Sequence, residues 1–252
     1  MDRIEKCSEK FGKLFGGKPV TSEGTDPELM RILQRFIFGE VSYTGSLDDR
    51  MRELITVTVL TVNATLPQLE AHTGACLRIG VTPLEVREAI YQCAPFIGFP
   101  KVLNAVAAAN RAFEKAGVSL PLPDAGCVPD ERRYEAGLAL QKPLYGDEIK
   151  DRYTWLPGEF ADAVPRFLTE FGFGDLATRT VLSEKERELL TVVMLAALGG
   201  AETQVKAHIG GAMRAGSTAE EVVCALVHAM PYMGIPRLFN ALNCAKDELS
   251  AK

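Results

Sequence analysis

The sequence predicts an all-α protein, a bundle of helical hairpins built from one module written twice, and three observations carry that prediction. The first is internal repetition. Shifting the chain by 136 residues lays Gln68-Leu-Glu-Ala-His72-Thr-Gly74 over Gln204-Val-Lys-Ala-His208-Ile-Gly210. The same shift lays Ala94-Pro-Phe-Ile-Gly-Phe-Pro-Lys-Val-Leu-Asn-Ala105 over Met230-Pro-Tyr-Met-Gly-Ile-Pro-Arg-Leu-Phe-Asn-Ala241. Between Pro67–Val106 and Thr203–Leu242, 15 of 40 positions are identical, far above coincidence. The second observation is helix punctuation. Ser183-Glu-Lys-Glu186, Thr82-Pro-Leu-Glu85 and Thr218-Ala-Glu-Glu221 are capping boxes. Gly80 and Gly216 stand two residues before two of them, where a left-handed helix terminator belongs. The third comes from comparing the copies. Ile55 to Val62 is β-branched and alternating, which alone reads as a strand. Its twin, Leu190 to Leu198, is rich in helix formers, and because copies share a fold both segments are assigned to helices.

Upstream of the strongest match the offset drops to 135, so that Arg52-Glu53-Leu54 faces Arg187-Glu188-Leu189 and Phe38-Gly39-Glu40 faces Phe173-Gly174-Asp175. The two modules span about 27–115 and 160–250. Helices are expected near 48–63, 66–79, 83–94 and 100–115, then near 183–199, 202–215, 219–230 and 236–250. Pro95 and Pro231 are expected to end the third helix of each set, and Gly98-Phe-Pro100 and Gly234-Ile-Pro236 to start the fourth. A Pro/Gly-rich stretch from Gly117 to Pro129 joins the modules. A helical segment near 131–145 follows and is expected to pair with an N-terminal helix at 3–15. The expected division is 1–120, the first module with its N-terminal helix, and 121–252, the second with the preceding linker and helix.

Composition narrows the function. The 252 residues are 47% hydrophobic and 24% charged, the usage of an ordinary globular protein. Twenty-eight basic against 33 acidic residues give a net charge of -5 with no dense Lys/Arg block, so nucleic acid is not the expected partner. The longest run free of charged residues, Leu54 to Leu69, is sixteen residues, short of the roughly 20 a bilayer requires, so no membrane partner is expected either. Charges scattered through Met1 to Leu14 do not build a signal peptide, which points to the cytoplasm. The cysteines (Cys7, Cys76, Cys93, Cys127, Cys224, Cys244) contain no C-x-x-C pair, so they are expected to be reduced thiols with no zinc site.

Two of the three histidines occupy the same place in the two copies. His72 and His208 fall on the inward stripe of their helices. A buried imidazole needs a hydrogen-bonding partner, and one is available on the preceding helix. Glu53 lies about ten residues before the hairpin turn and His72 about seven after it, so their distances from the turn differ by only about 5 Å at 1.5 Å per residue. Glu188 and His208 stand in the same relation. Each pair reads either as an acid–base couple or as a core histidine satisfied by a carboxylate, and duplication does not choose, since a structural pair would also be copied. Gln68 and Gln204, one turn before each histidine, are either additional donors on that face or simply exposed. Lys101 and Arg237 fall in the first turn of a helix, where the macrodipole disfavours a cation; they read as anion ligands or as solvated and ion-paired residues. His228 has no twin, and Cys76 and Cys93 face alanines in the other copy, as small core residues would.

Glu53 or Glu188 followed about twenty residues later by A-H-x-G, then R-x-G-x-T-x-x-E and P-[FY]-x-G-x-P-x-x-x-N-A, resembles the carboxymuconolactone decarboxylase family of the AhpD-like superfamily. The alkylhydroperoxidase branch of that superfamily carries C-x-x-C ending four residues before the histidine; here those places hold Thr65 and Gln68, and Ala201 and Gln204. The resemblance therefore implies the decarboxylase branch: a lyase with no cofactor and no metal, acting on a small carboxylated lactone. Glu53, His72, Glu188 and His208 would be catalytic and Gln68, Gln204, Lys101 and Arg237 would contact substrate. It also implies a homo-oligomer, a trimer presenting six modules, with Phe36-Ile-Phe38 and Phe167 to Phe171 as interface faces. Two other classes stay open at this point: a thiol-dependent antioxidant enzyme using Cys76 or Cys93, and a non-catalytic helical assembly.

Overall fold

Two long helices that have no face left for water organise the molecule. In the computed structural model, which describes residues 1–250, the first module contains α1 (Arg3–Phe15), α2 (Pro27–Gly39), α3 (Asp49–Asn63), α4 (Leu66–Arg78), α5 (Pro83–Tyr91), the single turn α6 (Ala94–Ile97) and α7 (Phe99–Lys115). After the connector come α8 (Arg133–Tyr145), α9 (Glu148–Arg152) and α10 (Phe160–Phe167), which runs on as a π-helical segment, Leu168–Ala177. The second module closes with α11 (Glu184–Leu198), α12 (Glu202–Arg214), α13 (Ala219–Met233) and α14 (Ile235–Ser250). Among the described residues there is no strand.

Every residue of α3 from Met51 to Val62 is buried, and α11 is buried from Arg187 to Ala197. That burial overrides the low helix propensity of the β-branched run. The hydroxyls it brings inside are satisfied by the helix itself: Thr56 donates to Arg52 O at 3.0 Å, Thr58 to Leu54 O at 2.9 Å and Thr61 to Val57 O at 2.8 Å. α3 and α11 lie against each other and α13 packs on both, so one continuous core runs through the two modules. The three capping boxes form as expected, and Gly80 and Gly216 end their helices at φ 89° and 96°.

Three expectations are corrected. Pro231 does not end its helix: α13 continues to Met233 and stops at Gly234, φ 92°. A proline removes only the bond to the carbonyl four residues back, and so near the helix end that loss is tolerated. In the first module the break comes earlier, at Gln92 and Cys93, and Pro95 sits in the first turn of α6, where its missing N–H would have had no partner anyway. Second, α1 and α8 do not form a pair: α1 packs chiefly on α2 and α4, whereas α8 packs on the π-helical segment and α12. They are equivalents. At an offset of 130, Arg3, Glu5, Leu14, Phe15 and Gly16 correspond to Arg133, Glu135, Leu144, Tyr145 and Gly146. The packing repeats as well: a Cβ at Gly39 would meet Arg3 O at 2.3 Å, and one at Gly174 would meet Arg133 O at 2.3 Å. Third, Ile37 and Phe38 are buried in the chain's own core and offer no surface to a partner.

Candidate active site

The hairpins α3–α4 and α11–α12 bring each glutamate to its histidine. His72 Nδ1 lies 2.8 Å from Glu53 Oε2, and His208 Nδ1 lies 3.0 Å from Glu188 Oε2. The first pair is nearly enclosed, with His72 and Glu53 side chains 9% and 3% exposed; the second is more open, at 17% and 8%. A carboxylate acceptor places a proton on Nδ1 and leaves Nε2 to face away from the glutamate. Neither Nε2 has a hydrogen-bonding partner among the described residues.

Aromatic rings wall both imidazoles, and each wall is shared between modules. His72 meets Phe15 edge-on at 5.4 Å and Tyr232 at 5.5 Å. His208 meets Tyr145 at 5.0 Å and Phe96 at 5.9 Å. Phe15 and Tyr145 are equivalents within their own modules, at the C-terminal ends of α1 and α8. Phe96 and Tyr232 are equivalents that cross over: α13 of the second module supplies Tyr232 to the first site, and α6 of the first supplies Phe96 to the second. Neither module completes its site alone.

At the second site the Tyr145 hydroxyl donates to Glu188 Oε2 and lies 2.7 Å from His208 Nδ1. Burial and the adjacent Glu188 charge raise the Tyr145 pKa far above its ordinary value, so the phenol stays protonated and acts as a fixed donor. Sequence reasoning missed Tyr145, Phe15, Phe96 and Tyr232. The P-[FY] pair held a signal for the last two, and the aromatic–Gly ends of α1 and α8 held one for the others.

The remaining sequence candidates fall elsewhere. Gln68 and Gln204 are exposed on the first turn of their helices. Lys101 Nζ donates to Val62 O at 3.2 Å, and Arg237 Nη1 donates to Asn63 Oδ1 at 3.0 Å. Both cations therefore sit at the C-terminal end of α3, where free carbonyls and the macrodipole favour positive charge, which accounts for cations in the first turns of α7 and α14. Asn63 also donates to Tyr232 O at 2.9 Å, so Arg237 braces the backbone that carries Tyr232 to His72.

Behind the first site, His228 is 2% exposed, with Arg52 Nη1 3.4 Å from Nδ1 and Thr56 Oγ1 3.1 Å from Nε2. Burial, then the Arg52 charge, pushes its pKa down to about 3, so it is neutral. Cys76 and Cys93 are fully buried, and burial drives both thiols well above their ordinary range, the opposite of what a nucleophilic thiolate needs. Among the described residues, no three His, Cys, Asp or Glu side chains gather as metal ligands would.

The chain is thus an all-helical tandem bundle with a carboxylate–imidazole couple in each hairpin. The profile of the carboxymuconolactone decarboxylase family matches residues 27–111 and 162–247, and the chain belongs to that family. A 4-carboxymuconolactone decarboxylase from Acinetobacter baylyi is 27% identical over 118 residues, 47% of this chain and 87% of that protein. A nitrosuccinic acid decarboxylase from Metarhizium robertsii is 28% identical over 93 residues, 37% of this chain and 62% of its own length. Among solved structures, a chain from Burkholderia xenovorans LB400, provisionally designated a gamma-carboxymuconolactone decarboxylase subunit, superposes with a TM-score of 0.54 at 22% identity, covering 98% of this chain and 96% of its own, and shares the fold.

Proposed function

We propose that the protein is a cofactor-independent carboxy-lyase acting on a small carboxylated lactone such as γ-carboxymuconolactone, by Glu/His acid–base chemistry at two sites per chain. The observation that carries this reading is the carboxylate–imidazole couple formed in both modules, with Nε2 unpartnered and aromatic rings on either side. In a γ-carboxylated butenolide, the bond to the carboxylate breaks and its electron pair moves through the ring alkene onto the lactone carbonyl oxygen. Carbon dioxide leaves neutral, and one proton is taken up at a ring carbon. The protonated Nε2 of His72 or His208 stabilises the developing oxyanion or delivers that proton, while Glu53 or Glu188 holds the imidazolium in place. The names of the relatives, both decarboxylases of small acids, favour the same reaction class.

The test is lactone consumption and carbon dioxide release by His72→Gln, His208→Gln and the double variant. Each single variant is expected to lose turnover at one site, and the double variant to lose it at both, by about 10²-fold or more. A double variant as active as the parent overturns the proposal.

The chain is further proposed to assemble as a trimer presenting six modules. Exposed apolar stripes recur in register: Leu29, Ile32 and Leu33 on α2 return as Val164, Phe167 and Leu168, and Phe99 and Leu103 on α7 return as Ile235 and Phe239 on α14. Light scattering should give three times the 27.4 kDa chain mass; a monomer refutes the assembly.

A further inference from the structure

Behind His72, α3 and α13 face each other with two polar residues apiece, each pair one helical turn apart: Arg52 and Thr56 on α3, His228 and Tyr232 on α13. The protons in this ladder can be placed. A guanidinium has donors only, so His228 Nδ1, 3.4 Å from Arg52 Nη1, accepts. Burial and then the Arg52 charge push the imidazole pKa down to about 3, so the ring is neutral, and its single proton sits on Nε2, 3.1 Å from Thr56 Oγ1. Thr56 directs its own proton to Arg52 O at 3.0 Å. It therefore accepts from His228 and has one lone pair left for the Tyr232 phenol, the other group hydrogen-bonded to it. Burial and then the Glu53 charge raise the phenol pKa far above its ordinary value, so Tyr232 keeps the proton it donates.

The other module shows the same position without this chain of bonds. Arg187 and Thr191 on α11 correspond to Arg52 and Thr56, but Gln92 and Phe96 stand where His228 and Tyr232 do. Gln92 Oε1 accepts from Arg187 Nη1 at 3.5 Å, and Gln92 Nε2 has no partner among the described residues. Thr191 donates to Arg187 O at 2.8 Å and has no phenol opposite it to hold. The second imidazole and the crossing phenol are thus present together at one site and absent together at the other.

We propose that His228 is a positioning residue of the first carboxylate–imidazole site, acting on His72 through Thr56 and Tyr232. Its Nε2–H fixes the Thr56 hydroxyl, and Thr56 fixes the Tyr232 hydroxyl one helical turn beyond Glu53. The ring so held stands edge-on to His72 at 5.5 Å, with an interplanar angle of 90°. Without the donor at 228, the threonine hydroxyl is free to turn, and the buried phenol has the Glu53 carboxylate nearby as a stronger acceptor. A phenol that moved to Glu53 would draw the carboxylate away from His72.

The role rests on the acid–base reading of the first site, and the experiment separates the two. In the full-length His208→Gln protein, where only the first site works, His228→Gln should lower kcat for lactone decarboxylation about tenfold with KM nearly unchanged, because the imidazole is misplaced while the substrate's other contacts remain. Tyr232→Phe should do the same, and adding His228→Gln to Tyr232→Phe should cost nothing further. In the His72→Gln protein, His228→Gln should leave second-site turnover in place, which also shows that the variant folds. Tyrosine labelled with carbon-13 at Cζ reports the hydrogen bond of its hydroxyl independently of activity. Of the six tyrosine resonances, His228→Gln should move that of Tyr232, assigned by its loss in Tyr232→Phe, and not that of Tyr145. An additive loss in the double variant, an equal loss at both sites, or an unmoved Tyr232 resonance would each overturn the positioning role. A His208→Gln parent without turnover overturns instead the acid–base reading of the first site, and the role of His228 with it.

Discussion

The first and second carboxylate–imidazole sites share a glutamate and a histidine and differ in the pair of residues beside them. At the second site, Tyr145 places a hydroxyl against both Glu188 and His208, and Gly211 makes room for it: a Cβ there would stand 2.3 Å from that hydroxyl and 2.7 Å from Glu188 Oε2. At the first site the equivalents are Phe15, with no hydroxyl, and Ala75, with the methyl that Gly211 lacks. The hydroxyl and the space for it come and go together, so one module holds a two-member couple and the other a three-member network. The arginines behind the sites differ in the same all-or-none manner. Arg187 is paired with Glu88 at 3.1 Å, whereas Arg52 has Cys224 and His228 at the equivalent places and leans on backbone carbonyls of Leu47 and Thr44 at 2.8 and 2.7 Å. A duplicated fold thus keeps its carboxylate–imidazole couple while the surroundings diverge.

The comparison breaks most visibly at Gly211. Gly211→Ala, assayed in the His72→Gln background where only the second site works, should lose about 10²-fold in turnover because Tyr145 and Glu188 must move. Thermal unfolding should show about 1–3 kcal/mol of overpacking. The reverse change, Ala75→Gly, opens unused space at the first site and should leave turnover there nearly intact. Equal behaviour of the two variants would remove the distinction between the sites.

The next effect is on acid stability. His228 is neutral when folded, with a pKa of about 3 set by burial and then Arg52, against 6.5 when unfolded. The unfolded chain therefore binds the proton first, so stability is complete above pH 6.5 and falls as pH drops toward 3, by up to about 1.4 kcal/mol per unit. His228→Gln installs the residue that the first module carries at Gln92 and should flatten that limb of a Tm-against-pH curve. A limb of unchanged slope would show that other groups govern it.

The smallest effect is a transplant. Phe15→Tyr with Ala75→Gly should give the first site the second site's network, shifting its pH–rate profile in the His208→Gln background toward that of the native second site. Phe15→Tyr alone should lower Tm, because its hydroxyl meets the Ala75 methyl. A pH–rate profile that does not move would assign Tyr145 a packing role only.

Much of the fold was legible because its signals are local. Capping boxes, terminal glycines and the spacing of Glu53 and His72 along a hairpin act within a few turns of chain, and α11 resolved the strand-like α3. The aromatic walls were not legible, since Tyr232 and Phe96 arrive from the opposite module. The placement of Lys101 and Arg237 depended on where α3 ends in space, which no local pattern states. Pro95 and Pro231 showed the limit of punctuation: each removes a hydrogen bond, but where the helix stops is settled by the turn that follows.

By itself the sequence determined that the chain is helical, that it is duplicated, and that each half sets an acid beside an imidazole. Helix rise and hairpin length are properties of the backbone and leave little freedom for that meeting. Only the tertiary structure decided which rings enclose each imidazole and at which site a phenol hydroxyl reaches the glutamate and histidine together. Those outcomes rest on side-chain volumes in a close-packed interior, where one methyl at residue 75 and its absence at residue 211 select different neighbours.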